Sequence, residues 1–480
     1  MPSYEAVIGL EVHVQARTKS KMFCSCANEF GSEPNTNVCP VCMGYPGVLP
    51  KPNMEAIRKI VTAGLMCSCE IQKKSKFDRK SYFYPDSPKN YQLTQYDMPF
   101  CLHGKVHISG IGFSGEELPD KDIGLTRIHM EEDVGKLTHF GTHSGVDYNR
   151  AGVPLMEIVS EPDMRSADEA YAYLSALKQM MQYADISDCD MEKGQMRCDV
   201  NISIREKGET GFGTKVELKN LNSFRAVHRA ITYEIRRQIL VISDGGIIEQ
   251  ETRGWNDDAG DSYSMRGKEN AHDYRYFPEP DLLPVEFTDE EIEEFKKNLP
   301  ELPSARRERF VTEYQLTAYD AQVLTQEKAC ADYFEAAASK SKAPKLVANW
   351  ITGELLRELA ESGLEIKDCP LKAEYLCDMV NLIQDGTING KIGKTVFAEM
   401  YKSGKTPQDI IREKGLVQVS DEGAIVKFVE EVIANNPAQV QQYKDGRTNV
   451  LQYLVGQVMK ASRGKANPQA VQKILAEKLS

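Results

Sequence analysis

Apolar and polar positions alternate over Tyr4–Gln15, YEAVIGLEVHVQ. Successive side chains of a strand point to opposite faces. Ala6, Ile8, Leu10, Val12 and Val14 therefore share one side. Glu5, Glu11, His13 and Gln15, with Val7 and Gly9, take the other. Glu11 and His13 then stand roughly 6.5 Å apart and point the same way. Alone, this pattern describes a solvated outer face as well as it describes a site. The same period returns at 197–205, RCDVNISIR, where Cys198, Val200, Ile202 and Ile204 oppose Asp199, Asn201 and Ser203. A Gly-rich loop leads to 215–220, KVELKN, which alternates as well. Together they predict an antiparallel hairpin with one apolar face and one of carboxylates, amides and lysine.

Two further stretches carry carboxylates. In 127–134, RIHMEEDV, Ile128, Met130 and Val134 share a face. That puts Glu132 on the apolar side unless a bulge or the strand end intervenes, with Glu131 and Asp133 beside it. In 155–159, LMEIV, Glu157 sits inside an apolar run that reads as a strand buried on both faces. A carboxylate there requires a cation or several donors. A metal or substrate meets that need, and so does a salt bridge to Arg127 or Arg150.

Helical periods dominate elsewhere. Ser166 and Glu169 form a capping box ahead of a core stripe at Ala170, Tyr173, Leu174, Leu177, Met180 and Met181. DYRYFPEPDLLP at 273–284, followed by the acidic EFTDEEIEEF, marks a boundary. Helical patterns fill the chain from there to about 405. Thr406, Pro407 and Gly415 open a further small helical unit, in which Asn467 and Pro468 start the last helix. The expected division is 1–290, 291–405 and 406–480.

The length of 480 residues suits about three domains at roughly 150 residues each. Composition is that of a soluble globular chain, and no stretch approaches a membrane span. A net charge of −12 excludes a global basic field, so RNA contact must be local. The last 42 residues supply one candidate patch, with seven Lys or Arg against Asp445 and Glu477. A solvated tail is the other reading.

Twelve cysteines and no secretory leader point to a reducing, cytoplasmic setting and to thiolate ligands rather than disulfides. Cys24 and Cys26, then Cys39 and Cys42, form two close pairs in a loop at 22–44, the arrangement of a closed tetrahedral zinc site. Four buried reduced cysteines would leave the same pattern. Residues 74–97 interleave Tyr and Phe with Lys and Arg, which suits a nucleotide or RNA site and equally an irregular loop. Neither the GxGxxG at 110–115 nor the GKT at 404–406 has the context of a phosphate-binding loop. ATP, if used, requires carboxylate-held Mg²⁺.

These segments carry a resemblance across the whole chain. VIGLEVHVQ, KFDRKSYFYPDSPKNYQ, RIHMEEDVGK, DYNRAGVPLMEIVSEPD, MRCDVNISIR, KVELKNLNSF, DYRYFPEPD and LVGQVMKASRGKANP resemble the B-subunit family of aspartyl/glutamyl-tRNA amidotransferases. The archaeal paralogue carries an extra inserted domain, for which helices directly after DYRYFPEPD leave no room. The resemblance implies an α+β fold: a cradle-like domain with a mainly antiparallel sheet, a helical domain and a small all-helical tail domain. It implies a protein that phosphorylates the side-chain carboxylate of Glu-tRNA(Gln) or Asp-tRNA(Asn) with ATP. The partners implied are a glutaminase subunit, which supplies ammonia, and a small bridging subunit.

By the same resemblance, Glu11, His13, Glu132 and Glu157 are the catalytic Mg²⁺-site residues, with Glu131 and Glu217 as second-ion or outer groups. Asp199, Asn201, Lys219 and Arg150 are assigned to ATP. Cys24, Cys26, Cys39 and Cys42 match the structural zinc site that some members carry. Arg447, Lys460, Arg463 and Lys465 of the basic tail are assigned to tRNA. A zinc-containing RNA-binding module without chemistry accounts for the cysteines and the tail but not for the carboxylate-bearing face. A metal-dependent phosphohydrolase accounts for the face but not for the helical, basic last third.

Overall fold

The computed structural model describes residues 3–267, 274–416, 422–445, 447, 449–462, 466 and 468–479. The chain forms two units, Met1–Leu302 and Pro303–Ser480.

The first unit is built on a nine-stranded sheet. In chain order its strands are β1 (Tyr4–Gln15), β2 (Glu70–Ile71), β3 (Cys101–Ile111), β4 (Glu117–Glu132), β5 (Pro154–Ser160), β6 (Met196–Glu206), β7 (Val216–Lys219), β8 (Glu251–Asn256) and β9 (Asp261–Gly267). They lie in the order β9-β8-β7-β6-β1-β5-β4-β3-β2. All neighbours are antiparallel except β7 and β8. That parallel pair needs a long crossover, and the helix Phe224–Ser243 supplies it.

β1 is central and paired along both edges. Ala6, Ile8, Leu10, Val12 and Val14 are at most 4% exposed and belong to the main core. The core is closed by three helices, α1 (Met54–Met66), α2 (Ala167–Tyr183) and α3 (Phe224–Ser243), through side chains such as Ile57, Ile60, Tyr173, Leu177 and Val227. Burying each large aliphatic side chain stabilises by about 1.5–3 kcal/mol. The alternation of β1 is thus held in place by its apolar half, and the polar half is displayed on the opposite face.

The cap of α2 differs from the expected box. Ser166 accepts from the Glu169 amide at 3.2 Å, but the Glu169 carboxylate reaches one residue further back to the Arg165 amide, at 3.0 Å. It also pairs with Lys121 at 2.7 Å, and that salt bridge draws the side chain off the Ser166 amide. Gly110, Gly112 and Gly115 lie in and around the β3–β4 turn, with no helix after them.

The first core runs on through Ile292 and Phe295, beyond residue 290. The second unit contains two apolar clusters, one from Phe310 to Ile411 and one from Ile425 to Leu479. The helix Pro407–Lys414 starts on the Thr406 cap with Pro407 in its first turn, and Gly415 ends it, as the spacing predicts. Its Ile410 and Ile411 join the earlier cluster, and among the described residues the terminal cluster starts at Ile425. The boundary markers Asn467 and Asp273 lie outside the described residues. Among the described residues no helix is long and apolar enough to cross a membrane.

Candidate active site and four-cysteine loop

Register brings the polar positions of four strands into rows. Arg197, His13, Glu157 and His129 lie side by side across β6, β1, β5 and β4. Asp199, Glu11, Val159 and Arg127 form the next row. Neighbouring strands are about 4.8 Å apart, so long polar side chains in a row touch.

Glu157 is the hub. His13 Nε2 stands 3.4 Å from its Oε2, His129 Nε2 stands 3.7 Å from the same oxygen, and Arg127 Nη2 stands 3.7 Å from Oε1. Of the two arginines that could pair with Glu157, Arg127 is the one that does. Glu131 lies one row on. Its Oε1 is 3.5 Å from His129 Nε2 and 3.2 Å from Lys80 Nζ, and it accepts from Thr94 Oγ1 at 2.9 Å. Lys80 and Thr94 arrive on Asp78–Ser81 and Tyr91–Thr94, which with Phe277–Pro278 make a small three-stranded sheet.

Charge is stabilised here in both signs. Burial opposes ionisation of Glu157, but the charge of His129 and the hydrogen bond from His13 outweigh it and hold the carboxyl at about 2. Burial likewise opposes Glu131, and Lys80 then His129 pull it well below the usual carboxylate range. For His13 burial acts to lower the pKa, yet the Glu157 hydrogen bond and charge leave it raised.

One ligand atom each from His13, Glu131 and Glu157 lies within 4.8 Å of the others. Two carboxylate oxygens at that spacing fit a hard divalent cation that keeps several waters. The imidazole is the softer donor of the three. Further along the face Glu11 accepts from Asn201 Nδ2 at 2.9 Å. Lys219 pairs with Asp199 and, at 3.2 Å, with Glu217, which accepts from Thr252 Oγ1 at 2.7 Å.

The structure thus gathers Glu11, His13, Glu131, Glu157, Asp199, Asn201, Glu217 and Lys219 on one face. It does not bring Glu132 there. As the last residue of β4, Glu132 keeps the phase of Ile128 and Met130, pairs with Lys89 and accepts from the Leu93 amide at 2.9 Å. Neither strand end nor bulge turns it round. Arg150 reaches the face only through Asp133, which it shares with Arg197. It donates to the Val134 and Gly135 carbonyls at 2.9 and 2.7 Å and stands 3.6 Å from Asp133. Buried Asp133 takes Arg197 at 2.9 Å and Gln15 at 2.8 Å as well.

Arg127, His129 and Arg197 were readable from the same two-residue period that exposes Glu131 and Asp199. Lys80, Thr94 and Lys89 come from the aromatic-cationic stretch, where no local pattern says which side chain turns inward.

On the other side of Glu132 lies a cavity of about 180 Å³ lined by Cys24, Cys42, Arg79, Lys89 and Tyr91 among others. The loop beside it brings the sulfurs of Cys24, Cys26, Cys39 and Cys42 within 4.8 Å of one another. Tetrahedral Zn–S bonds of about 2.3 Å require sulfurs roughly 3.8 Å apart, and the Cys39–Cys42 pair stands at 3.9 Å. Cys67 and Cys69 are buried in the main core. Arg447 and Lys460 are exposed, and Arg463 and Lys465 lie outside the described residues.

Fold and site define a class: an α+β protein with a charge-dense carboxylate–histidine sheet face, a separate four-thiol loop and a helical tail. Comparison with known proteins gives that class its family. Residues 6–293 match the "GatB/GatE catalytic domain" and 332–479 the "GatB domain". Proteins named as the B subunits of aspartyl/glutamyl-tRNA(Asn/Gln) amidotransferases are similar over their whole lengths. That of Carboxydothermus hydrogenoformans is 54% identical over 485 residues, covering 100% of both chains. That of Persephonella marina is 56% identical over 479 residues, covering 99% of both. The chain belongs to this B-subunit family.

Proposed function

We propose that this chain is the tRNA-binding, carboxylate-activating component of a tRNA-dependent amidotransferase. In this reading an oxygen of the Glu or Asp side chain carried on tRNA attacks the γ-phosphorus of ATP, and ADP leaves. Ammonia released from glutamine by a partner protein then attacks the acyl carbon. The acyl–oxygen bond breaks and inorganic phosphate departs.

The observation that carries the reading is the row Arg197–His13–Glu157–His129, with Glu131 and Lys80 beside it. Phosphoryl transfer calls for alignment and neutralisation of charge more than for a protein nucleophile. His13, Glu131 and Glu157 would hold Mg²⁺, with Glu11 as an outer group oriented by Asn201. Such an ion, when bound, supplies charge neutralisation between phosphate oxygens. Lys80 and His129 keep Glu131 ionised, and His129 and His13 do the same for Glu157, so both carboxylates are ready for the ion, while His13 has to give up its Nε2 proton to join them. Lys219, between Asp199 and Glu217, stands at the far end of the face, where it suits an outer phosphate. The thiols of Cys24, Cys26, Cys39 and Cys42 would hold structural zinc, and the exposed cations Arg447 and Lys460 suit contact with tRNA.

The test is ATP turnover by the chain with its glutaminase and small partner subunits, with and without Glu-tRNA(Gln). Turnover that requires the charged tRNA is expected. Turnover indifferent to it, or none at all, overturns the reading.

A further inference from the structure

Lys21 is fully buried, with 0% exposure. A buried ammonium is stabilised only when an anion and hydrogen-bond acceptors meet it. Among the described residues no carboxylate forms an ion pair with it. Its Nζ reaches two atoms, Cys42 Sγ at 3.7 Å and the Tyr148 carbonyl at 3.2 Å.

This placement is built. The Lys21 amide donates to the Cys26 carbonyl at 3.0 Å, and Asn53 Nδ2 donates to the Lys21 carbonyl at 3.3 Å. The backbone at 21 is therefore stapled to the cysteine loop and to the cap of α1. Gly152, at φ 86°, packs beside the pair. A Cβ there would lie 3.5 Å from both Lys21 Cδ and Cys42 Cβ. Cys42 Sγ also accepts from the Cys39 amide at 3.2 Å. A neutral thiol is a weak acceptor. Two donors, one of them the Lys21 ammonium, thus converge on one buried sulfur of the cluster.

We infer that Lys21 is the fixed counter-cation of the four-cysteine centre, offsetting part of the negative charge that four thiolates leave around a dication. This rests on reading the loop as a zinc site, and the experiment separates the two. A positioned partner of metal ligands is worth about 10–100-fold in affinity.

The full-length chain, as wild type and as Lys21→Met, is loaded with zinc. Its affinity is measured by competition with a chromogenic chelator at one pH. Cobalt(II) is substituted in parallel to read the thiolate charge-transfer bands. The expected result is tetrathiolate cobalt spectra for both chains and a zinc affinity at least tenfold weaker in Lys21→Met. A loss below tenfold with intact spectra overturns the counter-cation role and leaves the zinc reading standing. Absence of zinc uptake by the wild type overturns both. Should Lys21→Met not fold, Lys21→Arg decides: zinc held within tenfold of wild type supports the charge as the cause, and a greater loss overturns it.

Discussion

Glu157→Gln removes one negative charge from the middle of the polar row while keeping its shape. In the wild type, burial disfavours the ionised form, yet His129 and His13 hold the carboxyl at about 2 against 4.5 without partners. That difference amounts to roughly 3 kcal/mol at 1.36 kcal/mol per pH unit. Its sign with pH follows from linkage. A carboxyl with a depressed pKa contributes stability that is present above the unfolded value of 4.5 and is lost as pH falls toward 2. His13, raised above 6.5, contributes fully below 6.5 and loses that contribution as pH rises through its folded value. Both contributions are complete between about pH 4.5 and 6.5. There, with chelator present, Glu157→Gln should melt roughly 6 °C below wild type, at about 2 °C per kcal/mol for a unit of this size. The gap should narrow on both sides of that window. Circular-dichroism melts from about pH 3 to 9 measure it, and a flat or reversed difference would refute the electrostatic account. With partner subunits, the same variant should lose amide formation on charged tRNA while glutamine hydrolysis survives. Full amidation removes Glu157 from the site.

Lys80→Met leaves buried Glu131 without its ammonium and should destabilise by about 3–5 kcal/mol. Adding Glu131→Gln should recover part of that, as a double-mutant cycle of melting curves will read out. Cys39→Ser should abolish zinc retention and open the loop at 22–44 to limited proteolysis, with the sheet's circular-dichroism signal unchanged. Truncation after residue 416, which keeps Ile410 and Ile411 in their cluster, should weaken tRNA binding without changing the melting of the first unit. Filter binding with charged tRNA tests this, and unchanged affinity removes the tail from tRNA recognition.

Much of the sheet was legible because a strand's alternation is a local property. Tyr4–Gln15 shows its buried and displayed faces residue by residue, and 197–205 repeats them. What alternation does not carry is which strands become neighbours. Nothing local says that His13 meets Glu157 and Arg197, since those pairings close loops of more than a hundred residues. Phase was also decisive for the two adjacent glutamates. Glu132 shares the side of Ile128 and Met130, and the register keeps it there, although the motif as a whole suggested a ligand. The cation that balances Glu131, Lys80, comes from a short strand of a second, small sheet, and which of its side chains turns toward the site depends on tertiary packing alone.

That adjacency at the end of β4 constrains how the chain can vary in length. Glu131 and Glu132 are consecutive, yet one serves the polar face and the other the cavity beside the cysteine loop. A single inserted or deleted residue between Arg127 and Glu131 would exchange their directions, putting each carboxylate against the wrong set of cations. A change of one residue in that stretch of β4 is therefore excluded. The β3–β4 turn is held in another way, by Ser114, whose amide and hydroxyl donate to Asp168 at 2.7 and 2.8 Å. The limit at the β4 end is set by parity, not by space.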